Sequence, residues 1–155
     1  MDRETPADET PTTVPADRLA PIAACGPVLV SVCITCKTAD GGAVVGPDMF
    51  AAVKAAIDTA DKNVMVRPVQ CLSVCKRPAT VAVSSVGGYT FLFGDLETES
   101  GTAALQSFVQ SYQKSDYGLV PWRERAEVLR KGMVARLPPA AWSPDDGRAP
   151  GGTPK

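Results

Sequence analysis

Pro27-Val28-Leu29-Val30-Ser31-Val32-Cys33-Ile34-Thr35-Cys36 is a short apolar run that ends on a pair of cysteines. Its length, with Gly26 before it, suits a buried strand. A second apolar stretch, Val64 to Val69, runs directly into another close pair, Cys71-Leu72-Ser73-Val74-Cys75. One helix lies between them. Thr38 to Gly46 is a loop rich in Gly, Ala and Asp; Gly46-Pro47-Asp48 then opens the helix, with Pro47 suited to the first helical position and Asp48 to the positive helix end. Phe50, Val53, Ile57 and Ala60 recur at helical spacing, Lys54, Asp58 and Asp61 take the other face, and Asn63 ends it.

Further along, Thr80 to Ser84 reads as a third strand. Gly87-Gly88 forms a tight turn into a fourth, Tyr89 to Phe93, so these two make a hairpin. Ala104, Leu105, Phe108, Val109 and Tyr112 mark a second helix. A third, shorter helix starts near Pro121, with Trp122, Ala126 and Leu129 on one face and Gly132 as its stop. The order is β-α-β, then a β-hairpin, then α. A right-handed crossover makes the first two strands parallel. This is the order of the thioredoxin-like α/β fold, here with a C-terminal helical extension. Pro78 stands two residues before the third strand, where thioredoxin-like proteins usually carry a cis-proline; the isomer of the Arg77–Pro78 bond is not legible in sequence. Residues 1–24, with four prolines and five acids, read as a disordered tail, and 140–155 as a second. The expected domain is 25–139.

The chain has 155 residues, 45% of them apolar, enough for one domain with a real core. A net charge of −1 gives no general electrostatic case for nucleic acid or an anionic membrane. The apolar runs are too short to span a bilayer, and the opening residues lack the basic-then-apolar pattern of a secretory signal. The cytoplasm is the expected compartment, where paired cysteines point to metal or redox chemistry before a disulfide framework.

There are five cysteines and no histidine. Mixed Cys/His zinc sites, Rieske clusters and His-based triads are therefore excluded. The C-terminal ends of parallel strands are neighbours, so Cys33, Cys36, Cys71 and Cys75 are expected to share one site. A [2Fe–2S] cluster, with two thiolates per iron, is the preferred occupant. Zinc also takes four thiolates, but usually through Cys-x₂-Cys on both sides, and the second pair here is Cys-x₃-Cys. A thiol–disulfide oxidoreductase would use Cys33 and Cys36 alone; no helix obviously starts at Cys36, and Cys71 and Cys75 would go unexplained. Four inert buried thiols are the remaining reading. Cys25 reads as an incidental thiol rather than a ligand. Lys37, Lys76 and Arg77 either offset thiolate charge and dock an acidic redox partner, or are solvated loop charges. Trp122-Arg123-Glu124-Arg125, with Arg130, Lys131 and Arg136, is locally basic; its apolar face is expected to pack on the domain, with partner docking as the alternative. Asp95 and Glu97 read as turn and helix-start residues. No acid–base set is visible, so no enzyme is predicted.

The stretch Cys71 to Val83, followed by Gly88-Tyr89-Thr90-Phe91, resembles the second half of the thioredoxin-like [2Fe–2S] ferredoxins. A closer resemblance is to a bacterial family of small, functionally uncharacterised proteins described as predicted metal-binding. It rests on Val32 to Cys36, Cys71 to Cys75, Tyr89 to Leu96 and Val120 to Arg125, and covers about residues 28–139. It implies metal binding at the four cysteines. The first pair departs from the ferredoxins, which usually separate these cysteines by around ten residues. The expected function is that of a cluster-binding electron carrier or accessory protein, with a redox partner or a metal-handling protein as its contact. The alternatives are a zinc or other divalent-metal accessory or delivery protein and a dithiol oxidoreductase. A homodimer stays open.

Overall fold

The computed structural model describes residues 27–58 and 61–140. The tails read over 1–24 and 140–155 lie outside them except for Ala140, as do Cys25 and Ala60. Five strands form one sheet: β1 (Val28–Cys33), β2 (Val64–Val69), β3 (Val81–Ser84), β4 (Thr90–Phe93) and β5 (Met133–Leu137). The helices are α1 (Gly46–Val53), α2 (Thr98–Lys114) and α3 (Glu127–Lys131). The sheet order is β2-β1-β3-β4-β5. β1 and β2 are parallel, and every other neighbouring pair is antiparallel. The fold is α/β and thioredoxin-like, with the β-α-β unit, the hairpin and the helix in the expected order.

Pairing register puts the large apolar residues on one face. Val66, Val30, Val83 and Phe91 form one row across the strands, and Val32, Val81 and Phe93 the next. Met49, Val53 and Ile57 of the α1 region and Leu105, Phe108, Val109 and Tyr112 of α2 complete this core. Burial is nearly continuous along the central β1 and β3, alternates along β4, and repeats at helical spacing on α2. Phe108 sits edge-on to Phe91 and Phe93, with centroids 5.0 and 5.1 Å away. After Val53 the α1 helix widens into a π turn, Lys54–Asp58, and Gln106 of α2 donates to the Ala56 carbonyl at 3.2 Å.

Tyr112 is the largest fully buried side chain. Its hydroxyl donates to the Tyr89 carbonyl at 2.7 Å and lies 3.0 Å from Ser85 Oγ, tying α2 to the β3–β4 turn. Tyr112→Phe keeps the ring and removes both bonds. It is expected to lower unfolding free energy by about 1–2 kcal/mol, measured as a reduced urea midpoint with an unchanged m-value.

Two expectations are corrected in the C-terminal segment. It is not purely helical: a 3₁₀ turn at Trp122–Glu124 and the short α3 lead into β5, which pairs with β4. Trp122 and Ala126 do not pack inward either. Trp122 is 53% exposed, whereas Arg125 is only 7% exposed. Leu129 alone of that trio is buried. The Arg125 guanidinium lies 5.0 Å from the Phe91 ring and 5.6 Å from the Trp122 ring, and donates from Nε and Nη2 to the Val120 carbonyl. Burial, then the charge of Arg136, pull its pKa down. A flat cation between two rings can be buried at a position that apolar spacing assigns to solvent.

Candidate functional site

Cys33 closes β1 opposite Val69, the last residue of β2. The two cysteine pairs therefore leave the sheet side by side. The Ile34 N–H donates to the Val69 carbonyl at 2.9 Å, and the Cys33 N–H to the Thr80 carbonyl at 3.0 Å, so the end of β1 is fixed on both flanks. The loop after Cys36 returns on itself: Lys37 bridges Val44, and the N–H groups of Val45 and Gly46 donate to the Cys36 carbonyl at 2.9 and 3.2 Å. Gly46 makes that return possible. A Cβ there would lie 2.5 Å from the Cys33 carbonyl oxygen.

The inner pair is covered: Cys33 is 3% and Cys36 5% exposed, while Cys71 and Cys75 are exposed. Cys33 Sγ lies 3.6 Å from Thr35 Oγ1 and 3.8 Å from the Gln70 carbonyl, and the Thr35 hydroxyl also donates to that carbonyl. Burial works to raise the Cys33 pKa, but hydrogen bonds from Thr35, Cys36 and the Leu72 N–H outweigh it and hold the thiol below its ordinary range. Cys36 Sγ points at Thr80 Oγ1, 3.7 Å away, and that hydroxyl donates to the Arg77 carbonyl at 3.1 Å. In the outer pair, the Ser73 N–H donates to Cys71 Sγ at 3.2 Å. The Cys75 pKa is raised, first by its hydrogen bond to Cys71, then by the charge of Cys71, burial, and the charges of Cys36 and Cys33. Cys75 thus feels the other three thiols. The four are brought to one end of the sheet without closing on one point: among the described residues, no group of three or more Cys, Asp or Glu is compact enough to hold a metal ion.

The loop around the outer pair is also bent. Ser73 (φ 59°), Ala79 (φ 53°) and Asp95 (φ 54°) all sit in the left-handed region, where a non-glycine residue is held at a cost of about 1–3 kcal/mol. Ser73 and Ala79 carry no sign of it in sequence, whereas Asp95 already reads as a turn residue. No cis peptide bond occurs among the described residues, and the Arg77–Pro78 bond is trans. Sequence reading also misses what Arg77 does. It is not a solvated loop charge: Nε donates to Asp95 at 2.7 Å, and Nη1 and Nη2 donate to the Met133 and Lys131 carbonyls, each at 2.9 Å. Lys37 and Lys76 are exposed. No helix among the described residues is long and apolar enough to cross a membrane.

A solved thioredoxin-like [2Fe–2S] ferredoxin from Aquifex aeolicus is 16% identical to this chain, covers 74% of it and 97% of itself, and gives a TM-score of 0.48. No curated protein matches the chain. A family model described as "Protein of unknown function (DUF1636)" matches residues 30–139, a span that holds all four paired cysteines. With most of its length inside that match, the chain belongs to the DUF1636 family.

Proposed function

We propose that Cys33, Cys36, Cys71 and Cys75 hold a [2Fe–2S] cluster, and that the protein works as an electron carrier or a cluster-containing accessory protein. The observation that carries this reading is the placement of two thiol pairs at the ends of two adjacent parallel strands, in a chain without histidine. The donor chemistry fits. Such a cluster takes two thiolates per iron, and the chain supplies two thiols from each of two loops. Zinc also takes four thiolates, but usually through Cys-x₂-Cys on both sides, and the second pair here is Cys-x₃-Cys.

The chain's own groups favour the thiolate form of Cys33 and donate to the sulfur of Cys71. Thr35 and the Leu72 N–H hydrogen-bond Cys33, and the Ser73 N–H hydrogen-bonds Cys71. Lys37 and Lys76 flank the site and offset anionic charge. When bound, the cluster supplies reversible one-electron transfer. The buried inner pair excludes water from one side, while the exposed outer pair leaves a face on which a redox partner or metal-handling protein can dock. The dithiol reading has weaker support, because α1 begins at Gly46, beyond an intervening loop, so neither Cys33 nor Cys36 opens a helix.

The test is an ultraviolet–visible spectrum of protein purified without oxygen, with iron, sulfide and zinc assayed on the same sample. Broad visible bands that bleach with dithionite, and iron equal to sulfide, are the expected result. A colourless protein holding about one zinc per chain, or one that stays colourless after iron and sulfide reconstitution, would overturn it.

A further inference from the structure

Arg77 stands two residues past Cys75 and bonds to three separate segments of the chain. Its side chain forks across the end of α3 and the start of β5, onto the Lys131 and Met133 carbonyls, while Nε holds Asp95. Its backbone faces the other way. The Arg77 N–H donates to the Val74 carbonyl at 2.9 Å, closing the turn that carries Cys75. The Arg77 carbonyl accepts from Thr80 Oγ1, the group to which the Cys36 thiol points, and from the Asp95 N–H at 3.4 Å. The packing is close: a Cβ on Gly94 would lie 2.7 Å from that carbonyl oxygen. A single residue therefore joins the outer cysteine turn, the cover over the inner cysteine and the C-terminal segment.

We infer that Arg77 is a positioning residue: it clamps the Cys71–Cys75 loop to the α3–β5 segment, and so sets the outer thiols against the inner pair. The clamp is a property of the metal-free chain; its use in holding a cluster rests on the function proposed above. A lysine cannot replace it, because an ammonium held by Asp95 cannot also fork to two carbonyls.

The probe is iodoacetamide on the metal-free full chain, with the alkylation rate of each cysteine read by mass spectrometry, in the parent, Arg77→Ala and Arg77→Lys. Losing the fork is expected to raise the rate at buried Cys36 about tenfold in both variants. Amide-exchange protection of β1 and β3 should stay at the parent level, which separates a loosened loop from a loosened fold. An unchanged Cys36 rate in Arg77→Ala overturns the clamp. So does a faster rate matched by lost β1 protection, or parent-like behaviour of Arg77→Lys. In cluster-loaded protein, both variants should lose iron to a chelator faster than the parent. If the parent holds no cluster, the proposed function fails, and the alkylation rates still decide on Arg77.

Discussion

Replacing Cys71 with serine is expected to abolish the visible absorption of the proposed cluster and to reduce bound iron and sulfide to background. Cys71 is exposed, and its sulfur accepts the Ser73 N–H and hydrogen-bonds Cys75. The substitution removes a single sulfur from the outer pair, so the proposed cluster would be left with three thiolates, and a serine hydroxyl would give up its proton to iron less readily than a thiol does. Position matters to the design. Serine at Cys33 or Cys36 also places a hydroxyl in a buried site and confounds metal loss with unfolding. At Cys71 the metal-free protein should keep its unfolding free energy to within about 0.5 kcal/mol. The comparison is a spectrum and a metal assay on parent and variant, beside one urea titration of each without metal. A full cluster spectrum in Cys71→Ser would sink the assignment of the site.

Gly46→Ala carries the largest expected effect on stability. The added Cβ would stand 2.5 Å from the Cys33 carbonyl oxygen and the Ile34 carbonyl carbon, and 2.6 Å from Ile34 Cα. All three are backbone atoms, so no rotamer change relieves the contact. Helix propensity acts in the opposite direction, favouring Ala over Gly by about 1 kcal/mol in a helix interior and less at a helix start. The clash wins, and the net loss should be about 3 kcal/mol, read from the denaturant midpoint. A loss below about 1 kcal/mol would mean that α1 can draw back from β1. In that case the turn from Cys33 to Cys36 should move with it, because the Val45 and Gly46 N–H groups both hold the Cys36 carbonyl.

The parts of this fold that sequence makes legible are those where burial follows a period. Val28, Val30 and Val32, Val81 and Val83, and Phe91 and Phe93 alternate inward, and Leu105, Phe108, Val109 and Tyr112 repeat at helical spacing. β5 has no such signature: it is a half-exposed edge strand directly after Gly132, which reads as a helix stop and nothing more. Trp122 and Arg125 exchange their expected places because a guanidinium between two rings, with a carbonyl to donate to, can be buried. The meeting of the two cysteine pairs follows from strand order, since both strands end on them. The fork of Arg77 and the left-handed Ala79 do not follow, because they depend on segments far apart in sequence.

β5 also changes what the sheet shows at its margin. Without it, β4 would be the outermost strand, and Thr90-Phe91-Leu92-Phe93 would offer unpaired backbone groups beside large apolar side chains. Such an edge is a template for another chain to add to. β5 takes up that pairing, with its register shifted at Val134 opposite Leu92 and Phe93, and turns outward a strand whose exposed residues include Arg136. A cation and an irregular register discourage further strand addition. The C-terminal segment therefore guards the sheet against self-association along β4.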